Sequence, residues 1–239
     1  MLLSSRSQEW GRNLSDSDGL DALPEPPFFI LGGVGGGFPS SSSGLGVMMS
    51  KYPNWFNQTA QDNFEKHLKP LAGRKDLAAL QIGAFTGDAS IWLMKNLLVG
   101  PDHHLMDVDT WQGSDEIDHK EFDWEDVYKT YKRRLKPYPN AKHTKQASLL
   151  FLITDTGMYD FIYIDGSHTA LDVFTDALLA WPHLEEGGIL AFDDYVWHHP
   201  QGIEYEPQKG INRFVALFNP EVEILEQNNQ LWLKKRRLQ

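Results

Sequence analysis

The chain has 239 residues, of which 41% are hydrophobic and 23% are charged, so it has room for one substantial core and an additional arm. Its formal charge of -11 disfavours general binding to nucleic acid or to an anionic membrane, because both are polyanions. The absence of cysteine excludes disulfides, thiolate metal sites and cysteine nucleophiles. No run of about 18 apolar residues occurs and the first residues are not a secretory signal, so we expect a cytoplasmic protein.

Residues 1–50 are rich in glycine, serine and proline and have no sustained apolar period, which predicts a flexible arm preceding a domain over residues 51–239. The arm contains FILGGVGGGFPSSSSGLG, residues 29–46. This segment has neither the G-x-G-x-x-G spacing nor a following Gly-Lys-Ser/Thr, so we do not interpret it as a phosphate loop. A lid that closes over a bound ligand is the alternative.

Helices and strands alternate along the rest of the chain. Asn54 is placed to cap a helix over residues 55–71, and a strand over residues 77–82 leads through GAFTGD into a second helix. Further helices are predicted at 89–98, 124–135, 170–184 and 210–218, and further strands in HHLMDVD, KHTKQAS, YDFIYID, ILAFDDY, VEILEQ and QLWLKK. Gly187 and Gly188 are predicted to turn the chain, and the basic residues 234–237 to form a solvated end.

This alternation predicts an α/β fold with helices on both faces of a doubly wound, mostly parallel sheet of seven strands. The last two strands are separated only by Asn228 and Asn229, which favours an antiparallel C-terminal hairpin. Ligands of such sheets bind beyond the carboxyl ends of the parallel strands, so the functional residues are expected there.

The first two strand ends offer a cofactor site. Gly83 and Gly87 allow a ligand close to the backbone, and the helix that follows presents free N–H groups. Asp107 and Asp109 end the next strand, about 20 residues further on, where a carboxylate can accept hydrogen bonds from a ribose diol. Asp109 is closer to the strand tip and is preferred. Trp111 is expected either to cover an adenine ring or to pack in the core.

Acidic residues end two later strands that are predicted to be neighbours. Asp165 follows one strand, and Asp193 and Asp194 follow the other. Three converging carboxylates repel one another unless a cation lies among them, and oxygen ligands favour Mg²⁺, Mn²⁺ or Ca²⁺ over zinc. His168 lies just beyond the first of these strands, where an imidazole can reach a substrate hydroxyl as a general base.

Three segments together resemble class I S-adenosylmethionine-dependent methyltransferases, which have a Rossmann-like fold: LQIGAFTGDASIWL, DVDTWQG and YDFIYIDGSHTALDVFTDALLAWPHLEEGGILAFDDY. The IDGSH sequence is similar to that of macrolide sugar O-methyltransferases and cephalosporin-hydroxylase-like proteins. The resemblance covers roughly residues 51–233. It implies Gln81, Gly83, Phe85 and Gly87 around the methionine part of the cofactor, Asp109 at the ribose, and Ala147 and Ser148 at the adenine.

The chain departs from this family at two positions. Gln81 stands where the family often has an acid, and Ala89 stands where it often has a hydroxyl residue, which Ser90 is expected to replace. In the similar catechol O-methyltransferases, an Asp, a lysine base and an Asp-Asn pair occupy the positions that hold Asp165, His168 and Asp193-Asp194 here.

These observations lead to the hypothesis of a metal-dependent O-methyltransferase. Its cofactors would be S-adenosylmethionine and a divalent cation, with Mg²⁺ as the first choice, bound by Asp165, Asp193 and Asp194, and its base would be His168. Its partner would be a small molecule with a hydroxyl group, favouring a sugar or another vicinal diol, with no nucleic acid and no membrane; a homo-oligomer is left open. Trp111, Trp124, Tyr195 and Trp197 are candidates to stack on the acceptor.

Three alternatives stay open. A non-catalytic module that binds S-adenosylmethionine would keep the same pocket. A metal-dependent hydroxylase-like enzyme would share the aspartates, although redox-active iron normally takes histidine ligands. A nicotinamide-dependent oxidoreductase would share the alternating fold, but QIGAFTG lacks the G-x-G-x-x-G spacing.

Overall fold

The computed structural model describes residues 51–114, 118–198, 202 and 206–237. The predicted arm, its glycine-rich segment and the lid alternative lie outside the described residues. None of the helices described in these ranges is long and apolar enough to cross a membrane.

Seven strands form one sheet: β1 (Ala78–Ile82), β2 (His104–Asp109), β3 (Ala141–Lys145), β4 (Tyr159–Ile164), β5 (Leu184–Phe192), β6 (Val222–Gln227) and β7 (Leu231–Lys235). Their order is β3-β2-β1-β4-β5-β7-β6. The first five strands are parallel, whereas β7 is antiparallel to both β5 and β6. The structure thus confirms the predicted mostly parallel Rossmann-like sheet with an antiparallel C-terminal hairpin.

The described α-helices are α1 (Trp55–Thr59), α2 (Gln61–Leu68), α3 (Asp88–Asn96), α4 (Trp124–Leu135), α5 (Ser148–Leu152), α6 (Ala170–Ala180) and α7 (Pro207–Phe218). Short 3₁₀ segments lie at Lys69–Leu71, Asp118–Glu121, Trp181–His183 and Asn219–Glu221. Asn54 caps α1 as predicted, because its side chain accepts a hydrogen bond from the Asn57 N–H group at 3.0 Å.

Side chains that alternate along the strands build a core on each face of the sheet. Leu80, Ile162 and Leu190 point to one face and pack with residues of α5, α6 and α7. On the other face Phe64 of α2 is fully buried, and its ring meets Phe161, Tyr163 and Trp232 edge-on at centroid distances of 5.5, 5.0 and 5.3 Å. This second core ties α2 to the middle of the sheet.

Two glycines predicted to form a turn lie inside a strand instead. Gly187 and Gly188 belong to β5, and Gly187 has φ +81°. The pairing of β4 with β5 shifts register between Tyr159 and Phe161, and a Cβ on Gly188 would lie 3.1 Å from the Asp160 carbonyl oxygen. The predicted turn is therefore wrong: the glycines form an irregularity of the strand that lets neighbouring backbone come close.

Other differences come from contacts between distant segments. The helix predicted over residues 55–71 breaks at Ala60, where the Thr59 carbonyl accepts a hydrogen bond from Asn229 Nδ2 at 2.7 Å. Helix α5 was not predicted. The basic end is part of the fold, since Lys235 Nζ donates to the carbonyls of Trp181 and Leu184 at 3.0 and 2.8 Å.

Candidate active site

The turn between β1 and α3 is shaped by contacts that only glycine permits. Gly83 has φ +84°, and a Cβ there would lie 1.9 Å from the carbonyl oxygen of Asp165. Gly87 has φ +83° and caps α3, and a Cβ there would lie 2.5 Å from Leu135 Cδ2. The turn therefore packs directly on the end of β4, which brings the predicted cofactor turn next to the predicted acidic cluster.

Asp109 holds this turn in place. Its Oδ2 accepts hydrogen bonds from the backbone N–H groups of Ala84 and Phe85 at 2.7 and 3.0 Å, and its Oδ1 accepts one from Trp111 N–H at 2.6 Å. Phe85 itself has φ +45°, a conformation that such anchoring supports. The ribose role predicted for Asp109 stays a prediction, and the structure adds an organising role.

Asp107 lies below the surface of the site. Its side chain is fully buried, and its Oδ2 accepts a hydrogen bond from the Tyr131 hydroxyl at 2.6 Å. Burial raises the pKa of this carboxyl to about 7, with a smaller opposing effect of its hydrogen bond from Tyr131. A fully buried carboxyl is not exposed to a ribose, so Asp109 is the better candidate of the two.

Gln81 and Ser90 form the floor beneath the turn. The Gln81 amide donates to the Gly83 carbonyl at 2.7 Å, and the Ser90 hydroxyl donates to Gln81 Oε1 at 3.3 Å. Both side chains are buried. Gln81 can therefore fix the turn by its hydrogen bond, although it lacks the charge of the acid that the family often has at this position.

The two predicted adenine residues lie where β3 leads into α5. Ala147 precedes the first turn of α5 and is exposed, and the Ser148 hydroxyl donates to Asp176 Oδ1 at 2.6 Å. The N–H group of Gln146 donates to the Asp109 carbonyl at 3.0 Å, which joins this segment to the end of β2. The predicted cofactor residues thus follow the carboxyl ends of three adjacent strands.

Asp165, His168 and Asp194 form a cluster at the ends of β4 and β5. Each residue offers one potential ligand atom, and these three atoms lie within 4.8 Å of one another. Among the described parts of the chain, this is the group of acidic and histidine residues close enough to hold a metal ion. His168 Nε2 is 2.8 Å from Asp194 Oδ2 and 4.0 Å from Asp165 Oδ1. Asp194 has φ +54°, a left-handed conformation that is uncommon for residues other than glycine.

The electrostatics of the cluster favour a positive charge. Partial burial and then the nearby Asp193 raise the pKa of the Asp165 carboxyl well above its usual range, while His168 acts in the opposite direction. The Asp165 and Asp194 side chains are 31% and 29% exposed, so the cluster is accessible from one side. A cation or an imidazolium relieves the repulsion among these acids.

Asp193, which is also predicted to be a ligand, is not among the three residues of this cluster, and its role as a ligand stays a prediction. Its Oδ2 accepts a hydrogen bond from the Tyr163 hydroxyl at 2.5 Å, and its Oδ1 accepts from Gln230 Nε2 and from the Asp194 N–H group, both at 3.0 Å. Burial and the neighbouring Asp194 raise its pKa to about 6. The reason is local: successive residues after β5 send their side chains in different directions, so only one of the pair faces His168.

The four aromatic residues proposed to stack on an acceptor divide into two groups. Trp111 and Tyr195 are fully buried and pack in the core, with Trp111 Nε1 donating to the Phe85 carbonyl at 2.9 Å. Trp124 and Trp197 are partly exposed. The Trp197 ring lies 5.2 Å from the His168 ring, so it is the aromatic residue placed at the acidic cluster.

Sequence reasoning missed three residues that support the site. Tyr163 and Gln230 bind Asp193, and Arg134 of α4 donates to the Thr86 carbonyl at 2.9 Å and pairs with Asp88 at 2.5 Å. Tyr163 falls within a buried strand and Gln230 within a hairpin, where neither carries a sequence signal of function. Only the pairing of distant segments reveals them.

Comparisons with known proteins identify chains of similar sequence and fold. A family model described as a methyltransferase domain matches residues 80–195. An uncharacterised protein of Acanthamoeba polyphaga mimivirus is 26% identical over 174 residues, which cover 68% of this chain and 71% of that protein.

Several solved structures share the fold. A Corynebacterium glutamicum protein has a TM-score of 0.54 at 16% identity, covering 76% of this chain and 83% of its own. The N-methyltransferase NodS of Bradyrhizobium japonicum, in complex with S-adenosyl-L-homocysteine, has a TM-score of 0.53 at 12% identity, covering 79% and 94%. The MycE methyltransferase of the mycinamycin biosynthetic pathway, in complex with Mg and S-adenosyl-L-homocysteine, has a TM-score of 0.52 at 14% identity, covering 74% of this chain but 48% of its own.

The strand order, the glycine turn and the match of residues 80–195 to a methyltransferase domain together support one class of protein, the S-adenosylmethionine-dependent methyltransferases. Within that class, the low identities to the solved structures establish a shared fold only. The acceptor, the cation and the roles of individual residues are matters for the proposal that follows.

Proposed function

We propose that this protein transfers the methyl group of S-adenosylmethionine to a hydroxyl of a small molecule, with a divalent cation, Mg²⁺ by first choice, at the acidic cluster. The observation that carries the proposal is the convergence of Asp165, His168 and Asp194 within 4.8 Å, directly beside the turn that Gly83 packs onto β4. An accessible acid–imidazole cluster next to a cofactor turn is suited to proton removal from a bound hydroxyl.

The cofactor would lie along the ends of β1, β2 and β3. The proposed contacts are Gln81, Gly83, Phe85, Gly87, Ser90, Asp109, Ala147 and Ser148. S-adenosylmethionine supplies an electrophilic methyl group on a sulfonium. The glycines keep the backbone free of side chains, and the first N–H groups of α3 are available to an anionic carboxylate.

The residues of the cluster fit a divalent cation. The two carboxylates of the cluster, Asp165 and Asp194, lie within reach of a single ion, and their oxygen atoms suit Mg²⁺ or Mn²⁺, whereas His168 is kept for the role of base. Burial, and then the nearby Asp193 and Asp194, raise the pKa of Asp165, so a positive charge beside it would favour its ionised form. A divalent cation there supplies Lewis-acid charge, which lowers the pKa of a nearby hydroxyl.

His168 is the proposed general base. Its imidazole, which Asp194 Oδ2 contacts at Nε2 over 2.8 Å, would receive the proton of the acceptor hydroxyl as that oxygen forms its bond to the methyl carbon. The carbon–sulfur bond breaks at the same time, and the sulfur leaves as a neutral thioether. Asp194 would stabilise the imidazolium that results, because its carboxylate oxygen lies 2.8 Å from the ring.

The favoured acceptor is a sugar or another vicinal diol, in line with the resemblance of the IDGSH segment to sugar O-methyltransferases. Two adjacent oxygens would let the acceptor bind the cluster in one orientation. Trp197 lies beside His168 and is partly exposed, so it offers an apolar face to a ring held there. MycE, whose structure contains Mg, supports the choice of cation by analogy of fold.

The experiment is an acceptor screen read by mass spectrometry. The protein is incubated with S-adenosylmethionine, Mg²⁺ and a panel of glycosides, catechols and monohydroxy analogues, and each product is examined for the gain of one methylene mass. We expect transfer to vicinal diols, no transfer to their monohydroxy analogues, and formation of one S-adenosylhomocysteine per product. Cofactor binding without transfer to any acceptor would favour the non-catalytic module, and an oxygen-atom mass gain would favour the hydroxylase-like alternative.

A further inference from the structure

We propose that Asp193 is a positioning residue and not a cation ligand: together with Gln230 of the C-terminal hairpin, it holds the backbone of Asp194 so that only the Asp194 carboxylate faces His168. The resemblance to catechol O-methyltransferases had placed both acids of the pair in the ligand set. The inference rests on the proposed cation site, but its first test does not require an ion.

The first step is the conformation of Asp194. Its φ of +54° is unfavourable for an aspartate and requires support from its surroundings. The Asp193 carboxylate provides this support, because its Oδ1 accepts the Asp194 N–H group at 3.0 Å and so fixes the peptide that joins the two residues. With this peptide fixed, Asp194 Oδ2 lies 2.8 Å from His168 Nε2.

The second step is what holds Asp193. Its two oxygens accept hydrogen bonds from the Tyr163 hydroxyl at 2.5 Å and from Gln230 Nε2 at 3.0 Å. Tyr163 and Gln230 are 1% and 0% exposed, so neither donor exchanges readily with water. With the bond from Asp194 N–H, the Asp193 carboxylate accepts three hydrogen bonds within the protein, two at Oδ1 and one at Oδ2.

The third step is what orients the side-chain amide of Gln230. Its Oε1 accepts hydrogen bonds from Asn63 Nδ2 of α2 at 2.8 Å and from Trp232 Nε1 of β7 at 2.9 Å, which fixes the amide so that its nitrogen faces Asp193. Asn63 and Asn228 also bond to each other through both side chains, at 3.1 and 3.2 Å. A buried chain of amides therefore links helix α2 and the hairpin turn to the peptide that aims Asp194.

The first test follows the imidazole of His168 in the ion-free protein at one fixed pH. Long-range ¹H–¹⁵N spectra of the wild type, Asp193→Ala, Asp193→Asn and Asp194→Ala are compared. We expect Asp193→Ala to move the Nε2 resonance of His168 to the position seen in Asp194→Ala, because Asp194 is released. Asp193→Asn should match the wild type, because its amide oxygen still accepts the Asp194 N–H group. A wild-type resonance in Asp193→Ala would overturn the proposal.

The second test measures Mn²⁺ binding by calorimetry. For a positioning residue, Asp193→Asn should stay within about threefold of the wild-type Kd, whereas Asp194→Asn should weaken binding by about tenfold or more, and Gln230→Leu should fall between them. Equal losses in Asp193→Asn and Asp194→Asn would show that Asp193 is a ligand. If the wild type does not bind Mn²⁺, the proposed cation site is wrong, and the imidazole spectra still decide whether Asp193 positions Asp194.

Discussion

Replacing Asp107 with asparagine should change how the stability of the protein depends on pH. Asp107 is fully buried against Tyr131, and its pKa is raised from 3.8 to about 7. The folded protein therefore binds this proton more tightly than the unfolded chain does. Its stabilising contribution is fully present below about pH 4 and is lost as the pH rises through about 7.

The size of the effect follows from the shift. A difference of about three pKa units corresponds to about 4 kcal/mol of unfolding free energy between the two ends of this range. Asparagine does not titrate, and its amide oxygen can still accept the Tyr131 hydroxyl. The Asp107→Asn protein should therefore lack this decline and gain stability relative to the wild type as the pH increases.

The assay is urea unfolding at pH steps from about 4 to about 8, with the difference between variant and wild type plotted against pH. Subtraction removes the contributions of the other titrating groups. Asp102→Asn, the same chemical change at an exposed position, is the control and should give a difference that does not vary with pH. If the Asp107→Asn difference is equally flat, Asp107 is ionised in the folded protein throughout, and the account of its burial is refuted.

Three further predictions concern the site. Gly83→Ala should lower stability by more than about 2 kcal/mol and abolish S-adenosylmethionine binding in calorimetry, because the new Cβ would lie 1.9 Å from the Asp165 carbonyl oxygen. The control is Gly73→Ala, where φ is a similar +89° but a Cβ would have no atom within 4 Å. This variant has the backbone strain without the clash and should retain binding. His168→Ala should reduce turnover by about 10² to 10⁴ with the cofactor Kd nearly unchanged, and full activity on the true acceptor would remove His168 as the base. Removing divalent cations with a chelator should abolish turnover until Mg²⁺ is restored, whereas unchanged product formation in the chelator would speak against a metal requirement.

The edge of the sheet that carries the site was predictable from local patterns. Apolar strands ending in Gly83, Asp109, Asp165 and Asp194 follow one another with helices between them, and parallel strands align their carboxyl ends. The C-terminal hairpin was equally predictable from the two short strands that flank Asn228 and Asn229. These features depend on the periodicity of the apolar residues and on the direction of the strands, and both can be read from the sequence.

Side-chain direction and burial within that edge were not predictable. Asp193 and Asp194 are chemically identical neighbours, and only the left-handed backbone of Asp194 and the hydrogen bonds of Asp193 distinguish them. Asp107 and Asp109 are likewise separated by burial, which leaves one beneath Tyr131 and the other on the cofactor turn. Gly187 is a further example, because a glycine in the sequence indicates an unusual backbone conformation but does not distinguish a turn from an irregular strand.

The amino-acid sequence by itself determined which elements form, their order, and which chemical groups reach the carboxyl edge of the sheet, because these follow from local periodicity and from the direction of parallel strands. The tertiary structure alone decided which of those groups meet. Asn63 bonds to Gln230, and Gln230 bonds to the Asp193 carboxylate that accepts the Asp194 N–H group, so segments far apart in the chain meet at this point. The conformation, burial and protonation of each acid depend on such distant neighbours.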